Sequence, residues 1–523
     1  MTSNRRVGIV GAGPGGLAAA MLLARAGAEV TLHERRGQVG GRSSTIEARS
    51  PAGIFHFDMG PTFFLYPRVL QEVFAACGMD LAEEVDLIRL DTHYRLQFED
   101  GAAISATSDM RRLATEIARF SEADARALPR YMSDNRRKLE LFRPVLESAF
   151  NGPRDMLRPF MLKALPWLRP SHSVDSDLGR YFSDPRVRLA FSFQSKYLGM
   201  SPFRCPSLFT ILSFMEYEFG VFHPRGGCGA VMTAMARAAR RLGVKIRLDD
   251  PVERIDFDGR RARGLRAGGV DHDYDAVVIN ADFGHAMRHL VPDALRRRWT
   301  DRKIESKKYS CSTFMLYLGI RGTLPDLAHH TIYLAQDYQR NVAQIESGME
   351  VPDNPSFYVQ NACVTDPGLA PPGCSTLYVL IPVGHNVVDG VDWPQVQARF
   401  RRLALDRLAR LGIPDIEHRI VFEKMMTPPD WESEMAIHRG ATFNLAHSLG
   451  QMLHMRPRNR FEDLGGVYLV GGGTHPGSGL PVIFESARIS AKLLAEDLGL
   501  TPTWDTAMPM TNEDAPPELV AAQ

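Results

Sequence analysis

The chain has 523 residues, of which 44% are hydrophobic and 24% are charged, and its formal net charge is +1. This composition is that of a globular protein with two or three domains, and the near-zero charge gives no general attraction to nucleic acid. The sequence has no nucleic-acid-binding motif and no long uncharged apolar run, so a spanning helix is not expected. Its six dispersed cysteines predict free thiols in a reducing compartment, and the histidine spacing predicts no metal site.

Residues 7–34 predict a strand, a glycine-rich turn, a helix and a second strand that ends at an acidic residue. This order is typical of a unit that binds the ADP half of a dinucleotide. Gly11 permits the tight turn, Gly13 lets the backbone approach a pyrophosphate, and Gly16 lets the helix pack closely on the strand. Glu34 can accept hydrogen bonds from the ribose hydroxyls. This unit alone leaves FAD and NAD open.

A second glycine pair followed by an arginine, residues 40–42, comes shortly after the acidic residue. The two-part pattern resembles the FAD signature of the amine-oxidase and carotenoid-desaturase superfamily, which implies FAD as the cofactor. The resemblance assigns cofactor contacts to Gly41 and to Arg42, which in that family lies near the FAD phosphates. The pattern F-D-x-G-P-T that follows recurs in carotenoid desaturases, and it assigns Gly60 and Pro61 to a turn beside the cofactor.

Residues 109–170 have a helical pattern with many arginines, and within them residues 156–167 combine apolar and basic side chains with a tryptophan. A helix of this kind either lies on an anionic membrane or packs on its own domain with a solvated basic face. Residues 191–222 are rich in aromatic residues. These side chains either pack as core or line a long apolar tunnel.

A glycine pair, a helix and strands then return to the nucleotide-binding part, over residues 226–280. Their order again resembles the FAD family, where a valine backbone meets the adenine, and this makes Val252 a cofactor candidate. Further strand-like runs predict a mostly antiparallel sheet, and they lie at 312–320, 356–361 and 376–382.

Residues 466–486 predict a strand, a glycine-dense turn and a helix that begins near residue 483. A turn of this kind before a helix N-terminus suits a phosphate or the anionic edge of a flavin. The cofactor contacts assigned here are Gly473, Pro481 and Val482.

The same stretch resembles the signature of bacterial phytoene desaturases, and the resemblance runs from residue 7 to about residue 498. It is similar above all to the diapophytoene (dehydrosqualene) desaturases of methanotrophs, through the segments 195–200, 310–317 and 456–461. The resemblance implies an FAD-dependent enzyme that introduces double bonds into diapophytoene or phytoene by hydride transfer to flavin, in carotenoid biosynthesis.

The resemblance also implies an α/β fold: a Rossmann-like FAD-binding domain, an inserted mixed α+β substrate domain and a helical membrane-contact region. Because the isoprenoid substrate is insoluble, we expect a cytoplasmic enzyme, peripheral on the inner face of the cell membrane, with oxygen or a quinone as electron acceptor. The expected FAD-binding parts are 1–108, 223–289 and 461–500. The other parts are a helical region (109–222), a sheet-containing substrate region (290–460) and a loose tail (501–523).

No catalytic residue is assigned. His475 is placed to accept a proton, but a structural role in the glycine turn is favoured. Glu216 and Glu218 are other possible bases, although solvated acids are commoner in such a segment. The same motifs also suit an amine oxidase, a polyene isomerase, a hydroxysqualene-processing enzyme or a carotenoid end-group oxidase. A non-catalytic prenyl-lipid escort of the GDP-dissociation-inhibitor type is the alternative from another class, and the intact glycine motifs argue against it.

Overall fold

The computed structural model describes residues 5–169, 171–348, 350–385, 391–502 and 504. In chain order its strands are β1 (Arg6–Val10), β2 (Glu29–His33), β3 (Thr45–Ser50), β4 (Gly53–Asp58), β5 (Phe64–Leu65), β6 (Leu87–Arg89), β7 (Tyr94–Phe98), β8 (Ala103–Ala106), β9 (Val221–Pro224), β10 (Lys245–Arg247), β11 (Val252–Asp258), β12 (Arg261–Ala267), β13 (Val270–Asp273), β14 (Ala276–Ile279), β15 (Ser312–Arg321), β16 (His330–Leu334), β17 (Phe357–Gln360), β18 (Cys374–Val383), β19 (Ile420–Met426) and β20 (Val467–Leu469).

The α-helices, in the same order, are α1 (Pro14–Arg25), α2 (Arg68–Ala76), α3 (Leu81–Glu84), α4 (Met110–Ala118), α5 (Glu122–Leu146), α6 (Pro159–Leu168), α7 (Val174–Leu178), α8 (Pro185–Ala190), α9 (Ile211–Phe219), α10 (Cys228–Arg241), α11 (Phe283–Leu290), α12 (Asp301–Glu305), α13 (Tyr338–Ser347), α14 (Trp393–Arg410), α15 (Ile416–Arg419), α16 (Pro428–Met435) and α17 (Leu480–Asp497).

Five parallel strands form a sheet in the order β10-β2-β1-β14-β20. One face is covered by α1, α10 and α17 through a core rich in alanine, and the other face packs with residues of the small antiparallel sheet β11-β12-β13. A parallel sheet needs cover on both faces, which explains why β1, β14 and β20 are almost wholly apolar. The predicted Rossmann-like α/β domain is confirmed.

The second large sheet has seven strands in the order β19-β15-β18-β17-β16-β7-β8. Its pairs are antiparallel except for β7 with β16, so the predicted mostly antiparallel sheet is present. Strands β7 and β8 fall within residues 1–108, which the sequence assigned to the nucleotide-binding part. Their pairing with β16 puts them in the substrate sheet, and a local pattern cannot reveal a partner so far along the chain.

The predicted helix over residues 156–167 is present only from Pro159 onward. A 3₁₀ helix, Pro153–Leu157, and the helix α6 are separated at Arg158, which has φ −61° and ψ 144°. Proline at position 159 causes this break, since its ring disfavours a helical conformation in the preceding residue and starts a new helix itself. Proline near the start of a helix also explains why α17 begins at Leu480, about three residues before the expected start.

The six cysteines are free thiols, as predicted, and four of them are buried. No helix within the described ranges is both long enough and apolar enough to cross a lipid bilayer. Most of the predicted loose tail, residue 503 and residues 505–523, lies outside the described residues.

Candidate cofactor and substrate site

The carboxyl ends of three neighbouring strands, β1, β14 and β20, meet at one edge of the parallel sheet. The N-terminal glycine turn follows the first strand, and the C-terminal glycine turn follows the last. Between them stands Asn280, whose Nδ2 donates to the Gly11 carbonyl at 3.0 Å. A Cβ on Gly471 would lie 3.4 Å from Asn280 Oδ1. Sequence reasoning gave Asn280 no role, yet this side chain holds the N-terminal turn and lies between the two turns.

Helix α1 starts directly at the N-terminal turn, and no side chain caps its first N–H groups, because its N-cap residue is Gly13. Gly11 and Gly13 line a cavity of about 610 Å³. Gly16 does not line the cavity. A Cβ at Gly16 would lie 2.1 Å from the Gly11 carbonyl oxygen, so this glycine lets helix and turn pack in contact. The free helix N-terminus therefore faces a glycine cradle suited to phosphate.

Glu34 directly follows β2 and lines the same cavity. One of its carboxylate oxygens accepts the Ala12 N–H at 2.7 Å, and the other accepts the Arg36 N–H at 3.0 Å. The Asp250 N–H donates to the Glu34 carbonyl at 2.8 Å, which brings the loop before β11, and with it Val252, to the cavity wall. The carboxylate and the valine thus lie at one end of the cavity.

Gly41 and Arg42 line the cavity beside the glycine cradle. The Arg42 guanidinium donates to the Thr442 carbonyl, and it forms no ion pair with any of the described residues. Burial lowers the pKa of Arg42, while the charge of Asp282 opposes this shift. A desolvated guanidinium without a carboxylate partner is suited to an anionic ligand such as a pyrophosphate.

Gly60 and Pro61 also line the cavity, and hydroxyls of the large sheet hold this turn in place. The Tyr378 hydroxyl donates to the Gly60 carbonyl and the Tyr317 hydroxyl to the Met59 carbonyl, each at 2.6 Å. The turn therefore connects the nucleotide-binding part to strands β15 and β18 of the large sheet.

At the C-terminal turn, Pro481 and Val482 line the cavity in the first turn of α17, whose N-terminus carries no side-chain cap. Gly473 does not line the cavity, contrary to its assignment. A Cβ there would lie 2.5 Å from the Phe283 Cβ, so its small size serves packing. Other glycines of the turn reach the cavity instead, namely Gly471, Gly472, Gly477 and Gly479.

The C-terminal turn is fixed from behind by Arg456, a residue that sequence reasoning did not assign. Its guanidinium is fully buried and donates to five main-chain carbonyls, with no carboxylate among its hydrogen-bond acceptors. The acceptors are the carbonyls of Thr474, Ala446, Gln451, Leu445 and Gly472. A single side chain thereby ties the glycine turn to the segment that precedes it.

His475 lines the cavity and is buried. Its Nε2–H donates to the Val145 carbonyl of α5 at 3.2 Å, and burial lowers its pKa to about 4. The imidazole is therefore neutral near neutral pH. The contact with α5 supports the favoured structural role of His475 in the turn.

Beyond the cofactor part, the cavity has an apolar wall. The aromatic segment and the large sheet supply it, with Phe193, Tyr197, Phe209, Ile211, Leu212, Met215, Met315, Ile332, Tyr358 and Leu380. Other aromatic residues of the segment, such as Phe191 and Phe214, are buried in the core. The segment therefore contributes some side chains to the core and others to the cavity wall.

The expectation that Glu216 and Glu218 are solvated is wrong. Glu216 is fully buried, and its Oε2 accepts from the Tyr94 hydroxyl at 2.9 Å and the Gln194 amide at 3.0 Å. Glu218 is paired with Arg136 at 2.6 Å. Neither carboxylate lines the cavity. Sequence polarity alone could not show that partners elsewhere in the chain would bury these groups.

We expect Glu216 to make stability depend on pH. Burial raises its pKa to about 7 from 4.5, so between these pH values the folded state holds a proton that the unfolded chain has lost. Its contribution to the free energy of unfolding therefore falls as pH rises through this window, by up to about 3 kcal/mol. Glu216→Gln should flatten this dependence in urea unfolding, whereas Glu122→Gln, at an 81% exposed side chain, should not. Equal pH dependence of wild type and Glu216→Gln would contradict the assignment.

The glycine cradle, two uncapped helix N-termini and the unpaired Arg42 fit a dinucleotide with a pyrophosphate at its centre. The flavin-containing amine oxidoreductase family model matches residues 14–498, and the chain belongs to this family. It is an FAD-dependent oxidoreductase, as the sequence predicted.

Within the family, relatives of nearly full length are carotenoid desaturases, which confirms the predicted resemblance. A 4,4'-diapophytoene desaturase (4,4'-diapolycopene-forming) of a Methylomonas species is 42% identical over 498 residues, 95% of this chain and 96% of that protein. An all-trans-zeta-carotene desaturase of Myxococcus xanthus is 38% identical over 517 residues, 98% and 97% of the two chains. A solved oxidoreductase from Methanosarcina mazei shares the fold, with TM-score 0.60 and 19% identity over 94% of this chain and 100% of that one.

Proposed function

We propose that this enzyme introduces double bonds into a linear isoprenoid, diapophytoene or phytoene, in carotenoid biosynthesis. One observation carries the proposal: the cavity lined by both glycine turns continues without a break into a space walled by aromatic and aliphatic side chains. A wall of this kind suits a long hydrocarbon chain. The relatives that act on such chains match almost the whole sequence.

The residues proposed to hold FAD line the cavity around the glycine cradle. Gly11, Gly13, Gly41 and the start of α1 receive the pyrophosphate with Arg42. Glu34 binds the ribose hydroxyls and Val252 contacts the adenine. Gly60, Pro61, Pro481 and Val482 flank the flavin ring. Gly16 and Gly473 act indirectly, through packing.

When bound, FAD supplies the hydride acceptor, a role that no amino-acid side chain can fill. The protein supplies position. The apolar wall holds a saturated CH–CH pair of the substrate next to the cofactor and excludes water from it. Aromatic rings such as Phe193 and Tyr197 stabilise positive charge that develops on the chain. Oxygen or a membrane quinone then removes the electrons from the enzyme.

Co-expression in a colourless bacterial host that makes either diapophytoene or phytoene would test which substrate the enzyme accepts. The wild-type chain should convert at least one of them into a pigment with a longer conjugated system, seen as an absorption shift in the lipid extract. Gly13→Val, which obstructs the proposed cradle, should leave both precursors unchanged. Unchanged precursors in the presence of yellow, FAD-containing wild-type protein would refute the proposal.

We also propose that the enzyme is peripheral on the cell membrane and binds through α6 and the 3₁₀ turn before it. Leu157, Leu162 and Leu165 are 71%, 54% and 52% exposed, whereas Met161 and Ala164 of the same region are buried. Exposed basic residues, Arg154 and Lys163, lie among the leucines. Exposed leucines mixed with basic groups suit the headgroup region of an anionic bilayer.

Replacing Leu157, Leu162 and Leu165 together by glutamine should weaken binding to phosphatidylglycerol vesicles about tenfold or more, because their apolar surface no longer enters the bilayer. Flotation of the purified protein with vesicles measures this. Val270→Gln is the matched control, since Val270 is 55% exposed on a distant strand, β13. Equal flotation of the triple variant and wild type would reject α6 as the membrane contact.

A further inference from the structure

A hydrogen-bonded pair of side chains, Tyr358 of the apolar wall and His330 behind it, has no chemical role in the steps above. Tyr358 lies on β17 and His330 on the neighbouring strand β16, where His330 is opposite Gln360 in the antiparallel register. Tyr358 is two residues from Gln360, so the two side chains are diagonal neighbours on one face of the sheet. His330 Nδ1 lies 2.7 Å from the Tyr358 hydroxyl oxygen.

The pair is held tightly and is next to the cavity. The Thr62 hydroxyl lies 2.8 Å from the Tyr358 hydroxyl, and both residues line the cavity. The Phe63 ring, which also lines it, is stacked on the His330 ring with centroids 4.1 Å apart. Thr62 and Phe63 directly follow the Gly60-Pro61 turn proposed to flank the flavin. The pair is therefore placed where the substrate and the cofactor would meet.

His330 is fully buried, and its Nε2 has no hydrogen-bond partner among the described residues. A buried polar atom without a partner destabilises a fold by about 1–3 kcal/mol, so its presence calls for an explanation. When Tyr358 donates its proton to His330 Nδ1, the ring proton of the neutral imidazole is on the partnerless Nε2, and the Thr62 hydroxyl can donate to the Tyr358 oxygen. The tyrosine oxygen then keeps one lone pair for a donor in the cavity.

We propose that Tyr358 and His330 together accept the proton that desaturation releases, with Tyr358 as the residue that touches the substrate. This inference rests on the proposed function. One C–H bond of the substrate gives its hydrogen and both electrons to FAD. The neighbouring C–H bond breaks, its electron pair becomes the second bond of the new C=C, and its proton goes to the Tyr358 oxygen. The former hydroxyl proton of Tyr358 moves to His330 Nδ1, which leaves a neutral tyrosine and an imidazolium.

The environment of His330 suits this role. Burial, with further contributions from His329, His223 and His93, lowers its pKa well below the ordinary value. The ring is therefore neutral before the reaction and able to accept. A carbocation next to a C–H bond is a far stronger acid than an imidazolium, so the transfer is favourable even to this weak base. The weak base then releases the proton readily.

Further imidazoles lead away from the cavity. The His329 ring lies 4.3 Å from His330, and the His223 ring lies 4.8 Å from His329. His223 Nε2 is 3.3 Å from an Asp366 carboxylate oxygen, next to the exposed residues 367–368. These are ring contacts rather than hydrogen bonds between histidines. The row connects the cavity wall to the protein surface.

The test uses the purified FAD-containing enzyme, mixed anaerobically with the substrate identified by co-expression. Tyr358→Phe and His330→Gln should each slow bleaching of the flavin absorbance by about a hundredfold, because the cation recaptures its hydride when no base removes the proton. FAD content and substrate affinity should stay at the wild-type level. Tyr333→Phe is the control, since it removes a hydroxyl from the same strand as His330 outside the cavity lining.

A second readout does not depend on turnover. In ¹⁵N-histidine NMR of the resting holoenzyme, the signals lost in His330→Gln should be those of a neutral ring with the proton on Nε2. A proton on Nδ1, or bleaching rates within twofold of wild type in Tyr358→Phe, would overturn the inference. If instead wild-type flavin is not bleached by any isoprenoid, the proposed function fails, and the NMR result still reports on the pair.

Discussion

Gly16→Ala is expected to yield a protein without FAD and with greatly reduced stability. The added methyl carbon would lie 2.1 Å from the Gly11 carbonyl oxygen and 2.8 Å from Asn280 Nδ2. Neither atom can retreat easily, because the first is main chain and the second is hydrogen-bonded to the Gly11 carbonyl. We expect a loss of about 3 kcal/mol or more in the free energy of unfolding, since the helix must move off the strand.

The measurement is flavin absorbance per protein after purification, together with urea unfolding. Gly450→Ala is the matched control, since nothing lies within 4 Å of a Cβ at that position. The control should retain FAD and wild-type stability. A Gly16→Ala protein that is yellow and as stable as wild type would show that α1 does not pack on the turn as described.

Arg456→Met is expected to have the second large effect. The guanidinium satisfies five main-chain carbonyls in a fully buried position, and methionine fills similar space without any donor. Several carbonyls would be left unpaired at about 1–3 kcal/mol each, so we expect a loss of about 4 kcal/mol or more. The C-terminal turn should also lose its shape, and FAD retention should fall with it.

Arg458→Met, two residues away, separates this effect from a general loss of positive charge. Its guanidinium forms a long ion pair with Glu462, at 3.9 Å, and is partly exposed. Its removal should therefore change the free energy of unfolding by less than about 1 kcal/mol. Thermal unfolding and flavin content of both variants test the contrast. Similar losses in the two variants would contradict the role given to Arg456.

Features fixed by contiguous residues could be predicted from the sequence. The turn with Gly11 and Gly13, the helix α1 and the acid that follows the second strand all lie within one short unit, where spacing determines geometry. The same holds for the moderately spaced strand-like runs that predicted the antiparallel strands of the substrate sheet.

Features that depend on distant partners could not be predicted. Asn280 and Arg456 act on turns at both ends of the chain, and nothing in their local sequence shows which carbonyls they meet. Three consecutive glycines gave no indication of which faces the cavity, and Gly473, assigned as a cofactor contact, packs against Phe283 instead. Glu216 has a local pattern like that of a solvated acid, and its burial depends on Tyr94.

The central claim is that the protein is an FAD enzyme that oxidises a linear isoprenoid. Its most direct test is an anaerobic titration of the yellow holoenzyme with diapophytoene and, separately, phytoene. We expect the flavin absorbance to bleach in proportion to added substrate while polyene bands of a longer conjugated system appear in the same sample. A flavin that stays oxidised with both substrates, in protein that binds FAD fully, would contradict the proposed function.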